Sequence, residues 1–254
     1  MAASNTLVGS TSAQVSAEER QARIDLAALY RIIEYQGWGE GIFNHCSMRV
    51  PGEPSKFLIK PHALTYEEVT ASNLVKLDMH EDLDEASGVN RAGFVLHSTI
   101  LKARPDVNCA LHLHTPAGIA MSSHGKGLRM ICQQALRFYN RIGYHNYEGL
   151  TVESSEGERI ARDLGKNRAL VLRNHGLVTV GKSPRECAIL IEELLLSCEA
   201  QLLLEASGAP IIEVPPELCE HVARQFEHHD GGRGAADWPA WVRRMDRLDP
   251  SFRS

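Results

Sequence analysis

Between Ala92 and His114 the chain has to change from helix to strand across a single proline. Residues 92–103 read as a helix, and Arg104-Pro105-Asp106 stops it. Proline lacks the backbone N–H and disfavours helical backbone in the residue before it. The apolar run Val107 to Leu111 then reads as a buried strand that ends in His112-Leu113-His114. Residues i and i+2 of a strand point to the same face, so two imidazoles aim at one place. A second apolar run, Ala169 to Leu172, leads into Arg173-Asn174-His175-Gly176 and puts a third histidine at a neighbouring strand end. A histidine pair alone suits a polar sheet edge as well as a metal. Three histidines with an open position are the donor set of a catalytic metal site.

The rest of the chain supplies the layers around that strand. Ser16 and Glu19 have capping-box spacing and open an amphipathic helix over residues 17–35. Strands are expected around Cys46–Val50, Phe57–Lys60 and Val75–Asp78, and short helices at Ala117–Ser123 and 155–164. The runs Ala169–Leu172 and Leu177–Val180 read as strands flanking His175. Ser183-Pro184-Arg185-Glu186 combines an N-cap, a first-turn proline and a capping glutamate. It opens the longest helix, to about Ser207, closed by Gly208 and Pro210. This alternation implies one α/β domain with a central sheet covered by helices. Residues 1–15 read as a disordered lead and residues 16–210 as the domain. Residues 211–254 read as a C-terminal extension packing on the domain or on a neighbouring subunit. Within it, Glu227 to Gly232 is expected to be an exposed loop, and Asp237-Trp238-Pro239 to begin a short final helix.

Composition excludes some partners. The 254 residues carry a formal net charge of −5 with both signs interspersed. A nucleic-acid footprint needs a concentrated basic face, so no nucleic acid is expected. No apolar run reaches membrane-span length and the first residues lack signal-peptide character, so a cytoplasmic protein is expected. The six cysteines show no Cys-x-x-Cys pair and read as reduced packing residues.

Several segments together resemble the class II aldolase/adducin family. They are Ala92 to Gly118, Phe57-Leu-Ile-Lys-Pro61, Thr70 to Lys76, Tyr144-His-Asn-Tyr-Glu-Gly149 and Leu172 to Gly181. The phrasing is nearest to the adducin head domain and to bacterial adducin-like proteins, and it covers roughly residues 20–210. The resemblance implies a three-layer α/β/α fold with a mostly antiparallel central sheet. It implies a homotetramer with active sites between subunits and a small-molecule substrate. It also implies a divalent metal, zinc foremost with manganese or iron as alternatives, on His112, His114 and His175. Such a metal polarises a carbonyl and stabilises an enolate-type intermediate. A tyrosine from an adjacent subunit can act as proton donor in the family. Tyr139 and Tyr144 are the candidates here, and packing is the competing role for both. His97 is a further candidate, as a catalytic group or as a hydrogen-bonded core histidine. In the stretch matching the family's Gly-Asn-x-Ser phosphate loop, Asn44 and Ser47 survive in type and are the expected substrate-binding residues.

Two departures bear on activity. The aldolases carry an acid/base glutamate four residues before the position of His97, and here that residue is Gly93. No carboxylate occurs from Ala86 to Pro105. The glycine before the loop asparagine is replaced by Phe43. The expected function is a metal-dependent lyase, of aldolase or decarboxylase type, on a small carbonyl or hydroxy-acid substrate. Decarboxylation suits the missing glutamate better, because no base has to remove a carbon-bound proton. The alternatives are a non-catalytic scaffold, as the adducin head is taken to be, and an Fe(II) oxygenase. Actin binding is not expected, since the long basic tail of adducins does not follow residue 254.

Overall fold

A computed structural model describes residues 15–254, without the side chains of 229–235. The expected disordered lead lies outside the described residues except for Val15. In chain order the elements are α1 (Ala17–Tyr35), β1 (His45–Val50), β2 (Glu53–Ile59), β3 (Val75–Asp78), α2 (Arg91–Ala103), β4 (Cys109–Leu113) and α3 (Pro116–Ser122). They continue with α4 (Gln133–Leu136), β5 (Ile142–His145), α5 (Ser154–Leu164), β6 (Ala169–Leu172), β7 (Gly176–Gly181), α6 (Pro184–Ala206) and α7 (Pro216–Leu248). The seven strands form one sheet in the order β3-β2-β1-β4-β7-β6-β5. Every neighbouring pair is antiparallel except β5 and β6. The architecture is the α/β one expected, with a mostly antiparallel sheet between helices.

Local chemistry sets the element ends. The Ser16 hydroxyl accepts from Glu19 N at 3.1 Å and caps α1. The reciprocal half of the expected capping box is absent, because the Glu19 carboxylate goes instead to Arg23 and Lys76. Asn90 caps α2 by accepting from Gly93 N at 3.1 Å. Strand alternation then divides the core. Cys109, Leu111 and Leu113 of β4 pack in the cluster that includes α1 and α6. Ala110 lies in the second cluster, with Phe94, Ile100 and Ile160 of α2 and α5. His112 projects to that second face with Ala110.

The C-terminal segment differs from expectation. Residues expected as a loop before a short helix lie inside one continuous helix, α7, with Pro239 in its interior. Gly231, Gly232 and Pro239 are genuine local breakers. Tertiary docking overrides them: Trp238, Trp241, Val242 and Met245 pack on the main cluster. Beyond the helix, Asp249 pairs with Arg31 of α1 at 2.6 Å and Phe252 is fully buried. Among the described residues no helix is long and apolar enough to cross a membrane.

Candidate metal centre

The three histidines of the sequence argument meet at the C-terminal end of β4. His112 is in the strand, in register with His45 of β1 and Val178 of β7. His114 follows the strand directly. His175 sits in the turn between β6 and β7, after Asn174 at a left-handed φ of 57°. Gly176 permits this closeness, since a Cβ there would stand 2.4 Å from Leu113 O and 2.9 Å from the His114 ring. The ring centroids lie 4.6 Å apart for His112 and His114, 4.8 Å for His112 and His175, and 4.7 Å for His114 and His175. Each residue offers a ring nitrogen within 4.8 Å of the other two. All three border a cavity of about 320 Å³, whose walls include Phe43, Asn44, His45, Arg91 and Leu96. Among the described residues no carboxylate lines it. A larger hollow of about 550 Å³ lies at the other end of β4, around Arg104 and Asp106, and contains no histidine.

Hydrogen bonding settles the tautomers of two of the three. His112 Nδ1 is 3.0 Å from Leu177 O, and His114 Nδ1 is 2.7 Å from Glu40 Oε2. A carbonyl and a carboxylate only accept, so each Nδ1 carries a proton and each Nε2 is turned to the other. The two Nε2 atoms are 2.8 Å apart, close enough to share one cation, a proton or a metal ion. Burial and the neighbouring histidines push His112 well below its usual value, and burial first, then His114, pushes His175 down to about 4. Both are neutral near pH 7, the form that binds metal. Neutral imidazoles, outer partners on two Nδ1 atoms and an adjoining cavity fit a divalent metal with an open coordination position.

The other expected site residues fall in different places. Asn44 lines the cavity with a left-handed φ of 63°. Its amide donates to Glu40 Oε2 at 3.1 Å, and its buried Oδ1 has no partner among the described residues. Ser47, expected at the substrate, is instead fully buried with its hydroxyl on His97 Nδ1 at 2.5 Å. It does not line the cavity, because it lies two residues further along β1 than His45, on the same face, where His97 of α2 covers it. His97 is also buried, and its Nε2 reaches His45 Nδ1 at 2.8 Å. It can influence the site only through His45. Burial pushes the His97 ring down to about 3, against a smaller opposing effect of the His45 backbone. Neither Tyr139 nor Tyr144 lines the cavity of its own chain. The Tyr144 hydroxyl accepts from Leu128 N at 3.0 Å, and Arg173 stacks on the ring.

Two contributors escaped the sequence reading. Glu40, in the loop after α1, orients His114 and Asn44 together. Nothing local marks it as the partner of His114, which lies 74 residues away in sequence. His45 fills the space beside Gly93, where an added Cβ would meet its ring at 2.8 Å. The alternation His45-x-Ser47 on β1, beside His-x-His on β4, was the available signal.

Comparisons with known proteins agree with this architecture. A family model described as the class II aldolase and adducin N-terminal domain matches residues 24–202. Alpha-adducin of Rattus norvegicus is 41% identical over 245 residues, 93% of this chain and 33% of that protein. The crystal structure of an aldolase II superfamily protein from Pseudomonas syringae superposes with a TM-score of 0.88 at 37% identity, covering 97% of this chain and 100% of that one. L-fuculose 1-phosphate aldolase from Glaciozyma antarctica superposes with a TM-score of 0.82 at 27% identity, covering 97% of each chain.

Proposed function

The chain belongs to the class II aldolase and adducin family, and on that premise we propose that it is a divalent-metal-dependent carbon–carbon lyase acting on a small carbonyl or hydroxy-acid substrate. The observation that carries this reading is the convergence of ring nitrogens of His112, His114 and His175, all within 4.8 Å of one another beside a cavity. A scaffold has no use for such a trio. Three imidazoles favour zinc, with manganese or iron as alternatives. When bound, the metal would supply Lewis-acid stabilisation of negative charge developing on a carbonyl oxygen.

The chain's own groups supply the rest. Glu40 holds His114 in one tautomer and, through Asn44, ties the loop after α1 to the site. Phe43, Leu96 and Val152 give the cavity apolar walls that limit water. Among the described residues no carboxylate lines the cavity as a base for removing a carbon-bound proton. That favours decarboxylation, in which the departing carboxylate carbon leaves its electron pair on the substrate. Protonation of that carbon is assigned to a neighbouring chain. Tyr139 and Tyr144 are the candidates for it; Leu128 N and Arg173 hold the Tyr144 ring in place, and its hydroxyl keeps its own proton to donate. The working form in this reading is a homotetramer with sites between subunits. Exposed Phe43 and Leu150 on the cavity rim support it, since both would be covered by a second chain.

A second reading, a non-catalytic scaffold like the adducin head, is favoured by Gly93 and by the 41% identity to alpha-adducin. Elemental analysis of the purified protein, followed by turnover assays on oxo and hydroxy acids, separates the two. About one transition metal per subunit with metal-dependent product formation is expected. A folded protein that takes up no metal would sink the lyase reading, and full metal without turnover on any such acid would favour the scaffold.

A further inference from the structure

Gly93 leaves the cavity without an acid, yet the space beside it is filled. A Cβ on Gly93 would meet His45 Cδ2 at 2.8 Å and His45 Nε2 at 3.0 Å. The His45 imidazole therefore occupies the volume through which a longer side chain at position 93 would have to pass. Behind it runs a short chain of hydrogen bonds, from His45 Nδ1 to His97 Nε2 at 2.8 Å and from His97 Nδ1 to Ser47 Oγ at 2.5 Å.

Ser47 sets the direction of that chain. Its side chain is fully buried, and His97 is its hydrogen-bond partner among the described residues. If His97 donated to Oγ, the hydroxyl proton would be left buried without an acceptor, which is costly. Donation from Ser47 Oγ to His97 Nδ1 avoids this. His97 then carries its proton on Nε2 and donates to His45 Nδ1. His45 in turn carries its proton on Nε2, which has no partner among the described residues while the residue itself lines the cavity. A protonated Nε2 is no metal ligand, so the trio keeps its open position. It is a fixed, neutral donor at a place where a glutamate would be an anionic acceptor. Arg91 lines the same cavity. Its Nε donates to Val152 O at 3.2 Å, and it has no carboxylate partner among the described residues.

We propose that His45 and Arg91 bind the carboxylate of the substrate, so that the site selects a small hydroxy or oxo acid over a neutral carbonyl compound. The reaction of that acid rests on the lyase reading above, whereas its recognition rests on this donor pair. His97 and Ser47 are positioning residues that hold the donor tautomer of His45.

The test is calorimetric titration of the metal-loaded protein with glycolate and with glycolamide, its neutral isostere. The metal's own preference for the anion is common to all variants, so the readout is the change on mutation. His45→Phe keeps a ring in the volume and removes the donor. It should weaken glycolate about tenfold, leave glycolamide unchanged and leave metal content unchanged. His45→Gln retains an N–H donor and should recover most of the loss. Arg91→Met, at an exposed position, should weaken glycolate by a similar factor and guards against misfolding of the His45 variants. Unchanged glycolate affinity in His45→Phe or in Arg91→Met, at full metal occupancy, would overturn the proposal while leaving the lyase reading intact. A wild-type protein that takes up no metal would overturn both.

Discussion

Glu40 Oε2 lies 2.7 Å from His114 Nδ1, across 74 residues of sequence. That contact converts a histidine at a strand end into an oriented ligand, because the carboxylate fixes which nitrogen faces the cavity. It also brings the chain's nearest acid to the outer side of the trio rather than into the cavity. The class II aldolase fold is thus retained with its charge rearranged: an acid behind one imidazole, and a neutral imidazole beside Gly93.

Removing the outer carboxylate should loosen the metal without unfolding the protein. Glu40→Ala is expected to lower metal affinity about 10–100-fold, read by competition with a chelating dye. The side chain is half-exposed, so the urea midpoint should barely move. An unaltered metal affinity would show that Glu40 does not orient His114.

Restoring the glutamate should not restore an aldolase. Gly93→Glu drives a side chain into the His45 ring and should cost about 1–3 kcal/mol of stability. His45→Ala in the same chain should recover part of that loss, a coupling that urea denaturation of the two single variants and the double variant would measure. Independent effects would mean that the two residues do not share the space.

Acid should destabilise the metal-free protein partly through His97. Burial holds its imidazole at about 3 in the folded state, whereas an unfolded histidine titrates near about 6.5. Between those values the unfolded chain binds a proton that the folded chain refuses. The contribution is therefore whole above about pH 6.5 and is lost as the pH falls towards about 3. His97→Gln should flatten this acid limb in urea midpoints taken from about pH 7 to about pH 4. An equally steep limb in the variant would assign the effect to other groups.

Tyr30 ties α1 to the strand that carries His45 and Ser47. Its hydroxyl donates to Cys46 O at 2.6 Å and accepts from Cys46 N at 2.8 Å, in a fully buried setting. Tyr30→Phe leaves two buried backbone groups without that partner and should cost about 1–3 kcal/mol in thermal or urea unfolding. A neutral result would mean that β1 finds other partners for Cys46.

The sequence alone determined what depends on neighbours within a few residues. The stop at Arg104-Pro105, the caps at Ser16 and Ser183, the buried strands and the projection of His112 and His114 to one face all follow from backbone sterics and side-chain period. His175 joined them because a second strand end could be recognised by the same means. Tertiary structure alone decided the rest. It carried α7 through Gly231 and Pro239 by docking two tryptophans, it covered Ser47 with His97 of α2, and it set the Tyr144 hydroxyl against Leu128 N. It also brought Glu40 to His114 and His45 to His97, contacts separated by 74 and 52 residues. Such contacts depend on the pairing of β1 with β4 in the sheet. Packing and hydrogen-bond satisfaction between distant segments choose them, and no local pattern encodes that choice.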